Sequence, residues 1–141
     1  MKCYSIILLL FCSFFSHGQV NSANIKIDSI TSLQLVREKF NPEINKLEIK
    51  NGFVLGINDS PLFGSDGEIP KYKLIKATLK IKDKSYNLQV DNMYNPWTGD
   101  QLNVNFFKII HSGENHHLLK CIFSDGAGTY AAQWLIEWNS S

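Results

Sequence analysis

The chain has 141 residues, of which 44% are hydrophobic and 12% aromatic, and its formal net charge is +1. This length is typical of a single domain with a core of its own. A charge near zero and a single arginine, Arg37, argue against nucleic acid or an anionic membrane as the main partner, because both select for a strongly positive surface.

Residues 1–18 have the three parts of a cleavable secretory signal peptide. Lys2 supplies the positive end, residues 6–15 form an apolar run, and Ser16 and Gly18 are small residues before a cut at Gln19. We therefore expect an exported protein, periplasmic or extracellular. The apolar run is shorter than the roughly 20 residues of a spanning helix, so no integral membrane span is expected in the mature chain. Lipid attachment at Cys12 is disfavoured by the bulky Phe11 before it.

Residues 19–141 then form a single β-rich domain. Removing the signal takes away Lys2, which leaves 13 basic and 13 acidic residues. Cys121 is the one cysteine that remains, so packing rather than an internal disulfide must hold the domain together.

One amphipathic helix is predicted near the start of this domain. Thr31 and Gln34 fit an N-terminal capping box, and Leu33, Val36 and Phe40 follow with helical spacing. Pro42 would end the helix, because the residue before a proline avoids the helical region.

Strands are predicted over the rest of the chain. Asn51-Gly52 is a hairpin turn pair between residues 47–50 and 53–55. Residues 72–82 alternate, with Ile75, Ala77, Leu79 and Ile81 on one face, which indicates a strand buried on one side. Further strands are expected at 85–90, 102–111, 117–124 and 129–138. The predicted fold is mostly β (α+β), an antiparallel sandwich or small open barrel of about seven to eight strands with the helix packed on a sheet.

The segment 92–100 holds most of the candidate binding residues: Tyr94, Asn95, Trp97 and Asp100. Residues 95–98 favour a proline-containing turn, which would place two large rings on a loop. One interpretation is a binding surface, with Trp97 stacking on a sugar or anchoring a protein. The alternative is that Tyr94 and Trp97 fold back and close the end of the core.

Asp125 begins a glycine-rich connector that could bind a cation or form a nest of backbone amides for an anion, although a plain hairpin turn explains the glycines equally well. Asp66 and Glu68 lie in a loop without the alternation of a calcium site. No metal site and no cofactor are predicted.

His111 and His117 flank a short turn and are expected to face each other across a hairpin, without a third ligand that the sequence identifies. Cys121 lies on an alternating apolar face, which predicts a buried and unreactive thiol. The chain contains no recognised catalytic motif, so no catalytic residue is predicted.

Residues 93–97 (MYNPW), residues 123–126 (FSDG), residues 128–130 (GTY) and Trp134 together resemble a set of small exported bacterial proteins without an assigned activity. The resemblance covers most of the mature chain and implies export, but it transfers no catalytic residue.

Three functions are compatible with these features. The favoured one is a non-enzymatic protein-binding domain of the bacterial cell envelope, such as an immunity protein or an enzyme inhibitor. The alternatives are a small carbohydrate-binding module, with Tyr94 and Trp97 as its platform, and a hydrolase that uses carboxylates or histidines.

Overall fold

The computed structural model describes residues 20–97, 99, 102–124 and 126–137. The predicted signal peptide, with Cys12, lies outside the described residues, and so do the candidate binding residues Asp100 and Asp125.

The described chain forms ten strands: β1 (Val20–Lys26), β2 (Thr31–Lys39), β3 (Leu47–Lys50), β4 (Phe53–Ile57), β5 (Ser60–Pro61), β6 (Tyr72–Ile81), β7 (Lys84–Leu88), β8 (Phe107–His111), β9 (His116–Phe123) and β10 (Tyr130–Glu137). They make three antiparallel sheets with the orders β1-β2-β6-β7, β10-β9-β8 and β3-β4-β5. Short 3-10 turns lie at Pro42–Ile44, Val104–Phe106 and Gly126–Gly128. The expectation of a mostly β antiparallel fold is confirmed.

The predicted helix over residues 31–40 is wrong, because this segment is strand β2. Thr31, Leu33, Leu35 and Arg37 are all buried, with more exposed residues between them, and this is the period of a strand. β2 is hydrogen-bonded to β1 on one side and to β6 on the other. A helix would have turned Leu35 away from Leu33, whereas the strand buries both side chains on one face.

The face assignment predicted for residues 72–82 is correct for Ala77, Leu79 and Ile81, which are buried. It is wrong for Ile75, which is 39% exposed, whereas Leu74 is buried. The register between β2 and β6 shifts at Val36. A bulge of this kind inserts one residue and reverses the faces of the residues beyond it.

The inward residues of the two larger sheets meet in one core. Leu33, Leu35 and Leu79 come from the first sheet, and Leu119 and Phe123 come from the second. The described strands do not close into a barrel, and the arrangement is compatible with a β-sandwich. The third sheet has a smaller cluster of its own, formed by Phe40, Val54, Ile57 and Tyr94.

In the part of the chain that the structure describes, no helix has the length and apolar character needed to cross a membrane.

Candidate functional site

Tyr94, the first of the predicted binding residues, is buried in the smaller cluster. Its ring packs edge-on against Phe40, with 5.5 Å between the ring centroids. The backbone around Tyr94 joins two parts of the chain. Tyr94 forms an isolated β-bridge with Lys73, and the preceding Met93 forms one with Phe63. Burial raises the pKa of the Tyr94 phenol. Tyr94 therefore tethers this loop to the body of the domain.

Asn95 uses its side chain to hold two neighbouring segments in place. Its Oδ1 accepts hydrogen bonds from the backbone N–H groups of Lys71 and Tyr72, and its Nδ2 donates to the carbonyl of Gly64. Asn95 itself has a φ of +42°, in a region that asparagine tolerates better than most residues. These contacts order the loop from within.

Trp97 is also buried, and a cation covers its ring. The Arg37 guanidinium carbon lies 4.2 Å from the centroid of the Trp97 ring and 4.0 Å from that of Tyr72. The same guanidinium donates hydrogen bonds to the backbone carbonyls of Trp97 and Gly99. A carbohydrate platform requires exposed rings, whereas the residues Tyr94 and Trp97 are only 2% and 6% exposed.

The described acidic, histidine and cysteine side chains include no group of three suited to hold a metal ion. Asp66 and Glu68 are exposed, as a solvated loop requires. Cys121 is buried and its pKa is raised to about 12 by burial, so the thiolate that a nucleophile needs is disfavoured at neutral pH.

The outer faces of the two larger sheets differ in character. On the β1-β2-β6-β7 sheet, two rows of polar side chains cross all four strands. These rows are Asn24, Gln34, Thr78 and Asn87, and Lys26, Ser32, Lys80 and Ser85. This face has the composition of an ordinary solvated sheet surface.

The outer face of the β10-β9-β8 sheet carries an apolar row, which consists of Ile110, Leu118 and Leu135. Ile110 is 46% exposed and Leu135 is 65% exposed. Since cross-strand neighbours on one face lie about 5 Å apart, the three side chains form a continuous strip of apolar surface.

A lysine row lies directly beside the apolar row and consists of Lys108, Lys120 and Gln133. Beyond it, Ile122 lies opposite Ala131. A recess of about 440 Å³ opens here, and its lining includes Phe106, Ile122 and the two lysines. Neither row contains a carboxylate, so this recess combines apolar walls with positive charge.

His111 and His117 face each other across β8 and β9, as the sequence predicts, and their Nδ1 atoms are 2.9 Å apart. A third group joins them, because His111 Nε2 is 3.0 Å from a carboxylate oxygen of Asp28 in the β1–β2 loop. Burial opposes the shift, but hydrogen bonds from His111, from the Ile30 backbone and from Thr31 lower the pKa of Asp28. Burial and the neighbouring His111 lower the pKa of His117.

Sequence reasoning does not find Asp28, which is 83 residues from His111. It also does not single out the apolar row, although the alternation of residues 131–135 indicates that Leu135 shares the face of Ala131 and Gln133.

Comparisons with known proteins found no match: no family model, no curated protein and no solved structure is similar to this chain.

Proposed function

We propose that this chain is an exported, non-enzymatic protein-binding domain, and that it binds its partner through the outer face of the β10-β9-β8 sheet. The observation that carries the proposal is the apolar row, since Ile110, Leu118 and Leu135 run side by side across all three strands in contact with solvent. Contiguous apolar surface bordered by polar side chains is typical of protein-interaction sites.

The lysine row indicates the chemistry of the partner. Lys108 and Lys120 lie directly opposite each other on neighbouring strands, which is unfavourable for two like charges. A carboxylate on the partner would relieve this repulsion while apolar partner side chains cover Ile110 and Leu135. The partner proposed here is therefore a protein whose contact surface has an apolar centre next to Asp or Glu side chains.

The biological setting follows from the sequence. Export by the predicted signal peptide leads to the periplasm or the outside of the cell. A small domain that binds an acidic protein surface there suits an immunity protein or an inhibitor of an envelope enzyme. Tyr94, Asn95 and Trp97 then act as supports of the fold, because their side chains are occupied by Phe40, by backbone groups and by Arg37.

The test is a pull-down from cell-envelope and secreted fractions, in which the captured protein is identified and its binding is then measured with purified components. Leu135→Lys places a charge in the apolar row, and Lys120→Glu reverses the charge in the lysine row. Leu55→Lys is the matched control, because Leu55 is a half-exposed leucine on β4, outside the proposed surface.

The proposal expects one partner, bound by the parent and by Leu55→Lys, with affinity reduced at least tenfold in Leu135→Lys and Lys120→Glu. Binding that is strengthened by Lys120→Glu would contradict an acidic partner. Binding of a captured protein that all variants retain would overturn the proposed surface. Retention on peptidoglycan or glycan without any captured protein would favour the carbohydrate-binding alternative.

A further inference from the structure

The strongest chemical feature outside the proposed binding surface is the group of His111, His117 and Asp28, which lies where the β8–β9 hairpin meets the β1–β2 loop. The two Nδ1 atoms are 2.9 Å apart, and the ring planes meet at 81°. His117 is buried, whereas the side chains of His111 and Asp28 are 33% and 34% exposed. The group is therefore held by the fold on one side and is open to solvent on the other.

The hydrogen bonds constrain the proton positions in this group. When the ionised Asp28 accepts a hydrogen bond from His111 Nε2–H, a neutral His111 ring has its lone pair on Nδ1. In that tautomer His111 Nδ1 accepts a hydrogen bond from His117 Nδ1–H. In metal sites, a ligating histidine often donates its other ring N–H to a carboxylate, which orients the imidazole and increases its basicity.

The separation of the two nitrogens is that of their hydrogen bond, and it is also short enough for both to bind one metal ion in place of the proton. With metal–nitrogen bonds of about 2.0–2.1 Å, a separation of 2.9 Å corresponds to an angle of about 90° at the ion. Tetragonal ions such as Cu²⁺ and Ni²⁺ prefer this angle when their ligands are nitrogen and oxygen. A tetrahedral ion would need the two nitrogens about 3.3–3.4 Å apart.

We propose that His111 and His117 form a two-histidine chelate for a divalent transition metal of the Cu²⁺ or Ni²⁺ kind, with both Nδ1 atoms as ligands and Asp28 as the positioning residue of His111. Binding requires the lone pair of each neutral ring on Nδ1, so the His117 proton then lies on Nε2 and neither ring has to lose a proton to solvent. Water completes the coordination on the exposed side, because the described residues offer no third histidine, cysteine or carboxylate ligand.

The test is a calorimetric titration of the full chain with Ni²⁺, which does not oxidise thiols, beside Mg²⁺, which does not favour imidazole ligands. His111→Gln removes one ligand at a partly exposed position. His116→Gln is the matched control, because His116 is exposed and adjacent in sequence but lies on the outer face of β9. Asp28→Asn keeps the size of the side chain but removes its charge.

The expected result is one equivalent of Ni²⁺ that is lost in His111→Gln and retained in His116→Gln. Asp28→Asn should weaken this binding by about 10–100-fold. In a chain with Cys3 and Cys12 replaced by serine, the electron paramagnetic resonance spectrum of bound Cu²⁺ should show two coupled imidazole nitrogens, and His111→Gln should leave only one.

Binding of Ni²⁺ that is unchanged in His111→Gln, or that is lost in His116→Gln, would overturn the proposal, and so would the absence of any equivalent in the parent chain. His117→Gln is a second check if circular dichroism shows that it folds. None of these outcomes depends on the proposed protein partner, because the Ni²⁺ titration contains only the purified chain.

Discussion

The guanidinium of Arg37 lies over the ring of Trp97, 4.2 Å from its centroid, and donates a hydrogen bond to the backbone carbonyl of the same residue. Tyr72 covers the guanidinium from a second side. The only arginine of the chain is thus used inside the fold, where its planar shape stacks on rings and binds carbonyls at once.

Replacing Arg37 by lysine should therefore destabilise the domain although the charge is kept. An ammonium group cannot stack on two rings and also reach both carbonyls, so the free energy of unfolding should fall by at least about 2 kcal/mol in urea unfolding. Lys39→Arg, at an exposed position of the same strand, is the control and should change it by less than about 0.5 kcal/mol. Equal effects of the two changes would contradict this role of Arg37.

Gly64 should tolerate no side chain, whereas Gly52 should tolerate alanine. Both have positive φ, +95° and +83°, but a Cβ on Gly64 would lie 2.0 Å from the carbonyl oxygen of Tyr94, and a Cβ on Gly52 would meet nothing within 4 Å. Gly52→Ala should cost only the backbone strain of about 1–2 kcal/mol. Gly64→Ala should cost more than about 4 kcal/mol or abolish folding, as thermal unfolding followed by circular dichroism would show. A similar loss for both variants would disprove the close approach at Tyr94.

Acid should weaken the fold below pH 6.5. The pKa of His117 is lowered from 6.5 by burial and by the nearby His111, His116 and Lys82. Neutral His117 therefore contributes its full share of stability above pH 6.5. As the pH falls from 6.5 towards the lower pKa of His117 in the folded state, the unfolded chain binds the proton first and this stability is lost. The lowered pKa of Asp28 adds a second loss below about pH 4. Urea unfolding at pH 7.5, 6.0 and 5.0 measures how the free energy of unfolding changes with pH.

His117→Gln should flatten the pH dependence between pH 7.5 and 5.0, and His116→Gln should retain it. An equally steep dependence in His117→Gln would assign the effect to another group.

Lys120→Glu should stabilise the isolated domain while it weakens partner binding. The change replaces a like-charge pair with Lys108 by an opposite-charge pair on neighbouring strands, for which we expect a gain of about 0.2–1 kcal/mol in the free energy of unfolding. Added salt should reduce the gain, because exposed charges are screened. Lys26→Glu is the control, since Lys26 lies opposite Ser32 and should show little change. A loss of stability in Lys120→Glu alone would contradict repulsion between the two lysines.

Cys121 should react with thiol reagents only after unfolding. Its burial and its pKa of about 12 leave little accessible thiolate at neutral pH. In a chain with Cys3 and Cys12 replaced by serine, labelling with iodoacetamide should require denaturant. Ala131→Cys in the same background should label at once, because position 131 is exposed on the outer face of β10. Rapid labelling of Cys121 in the folded chain would show that the core opens there.

Alternation and turn chemistry predicted much of this fold. The hairpin at Asn51-Gly52 is correct because both residues adopt the positive φ that this turn needs, +52° and +83°. Tyr72–Ile81 is a strand, as the alternation of residues 72–82 predicts, and only the face of Ile75 was wrong.

The prediction over residues 31–40 failed because that segment satisfies two periods at once. Leu33, Val36 and Phe40 fit a helix, whereas Leu33, Leu35 and Arg37 fit a strand. The flanking strands β1 and β6 decide between them, since each offers a full edge of backbone hydrogen bonds to β2.

Local order along the chain thus indicated strands β3, β4 and β6 to β10, and indicated that His111 and His117 face each other across one hairpin. Tertiary packing alone decided that Asp28 reaches His111, that Arg37 covers Trp97, and that Leu135 lies in an exposed apolar row. These relationships depend on how the sheets stack and on where a bulge shifts a register. Such contacts join residues far apart in the chain, and no spacing within a single segment encodes them.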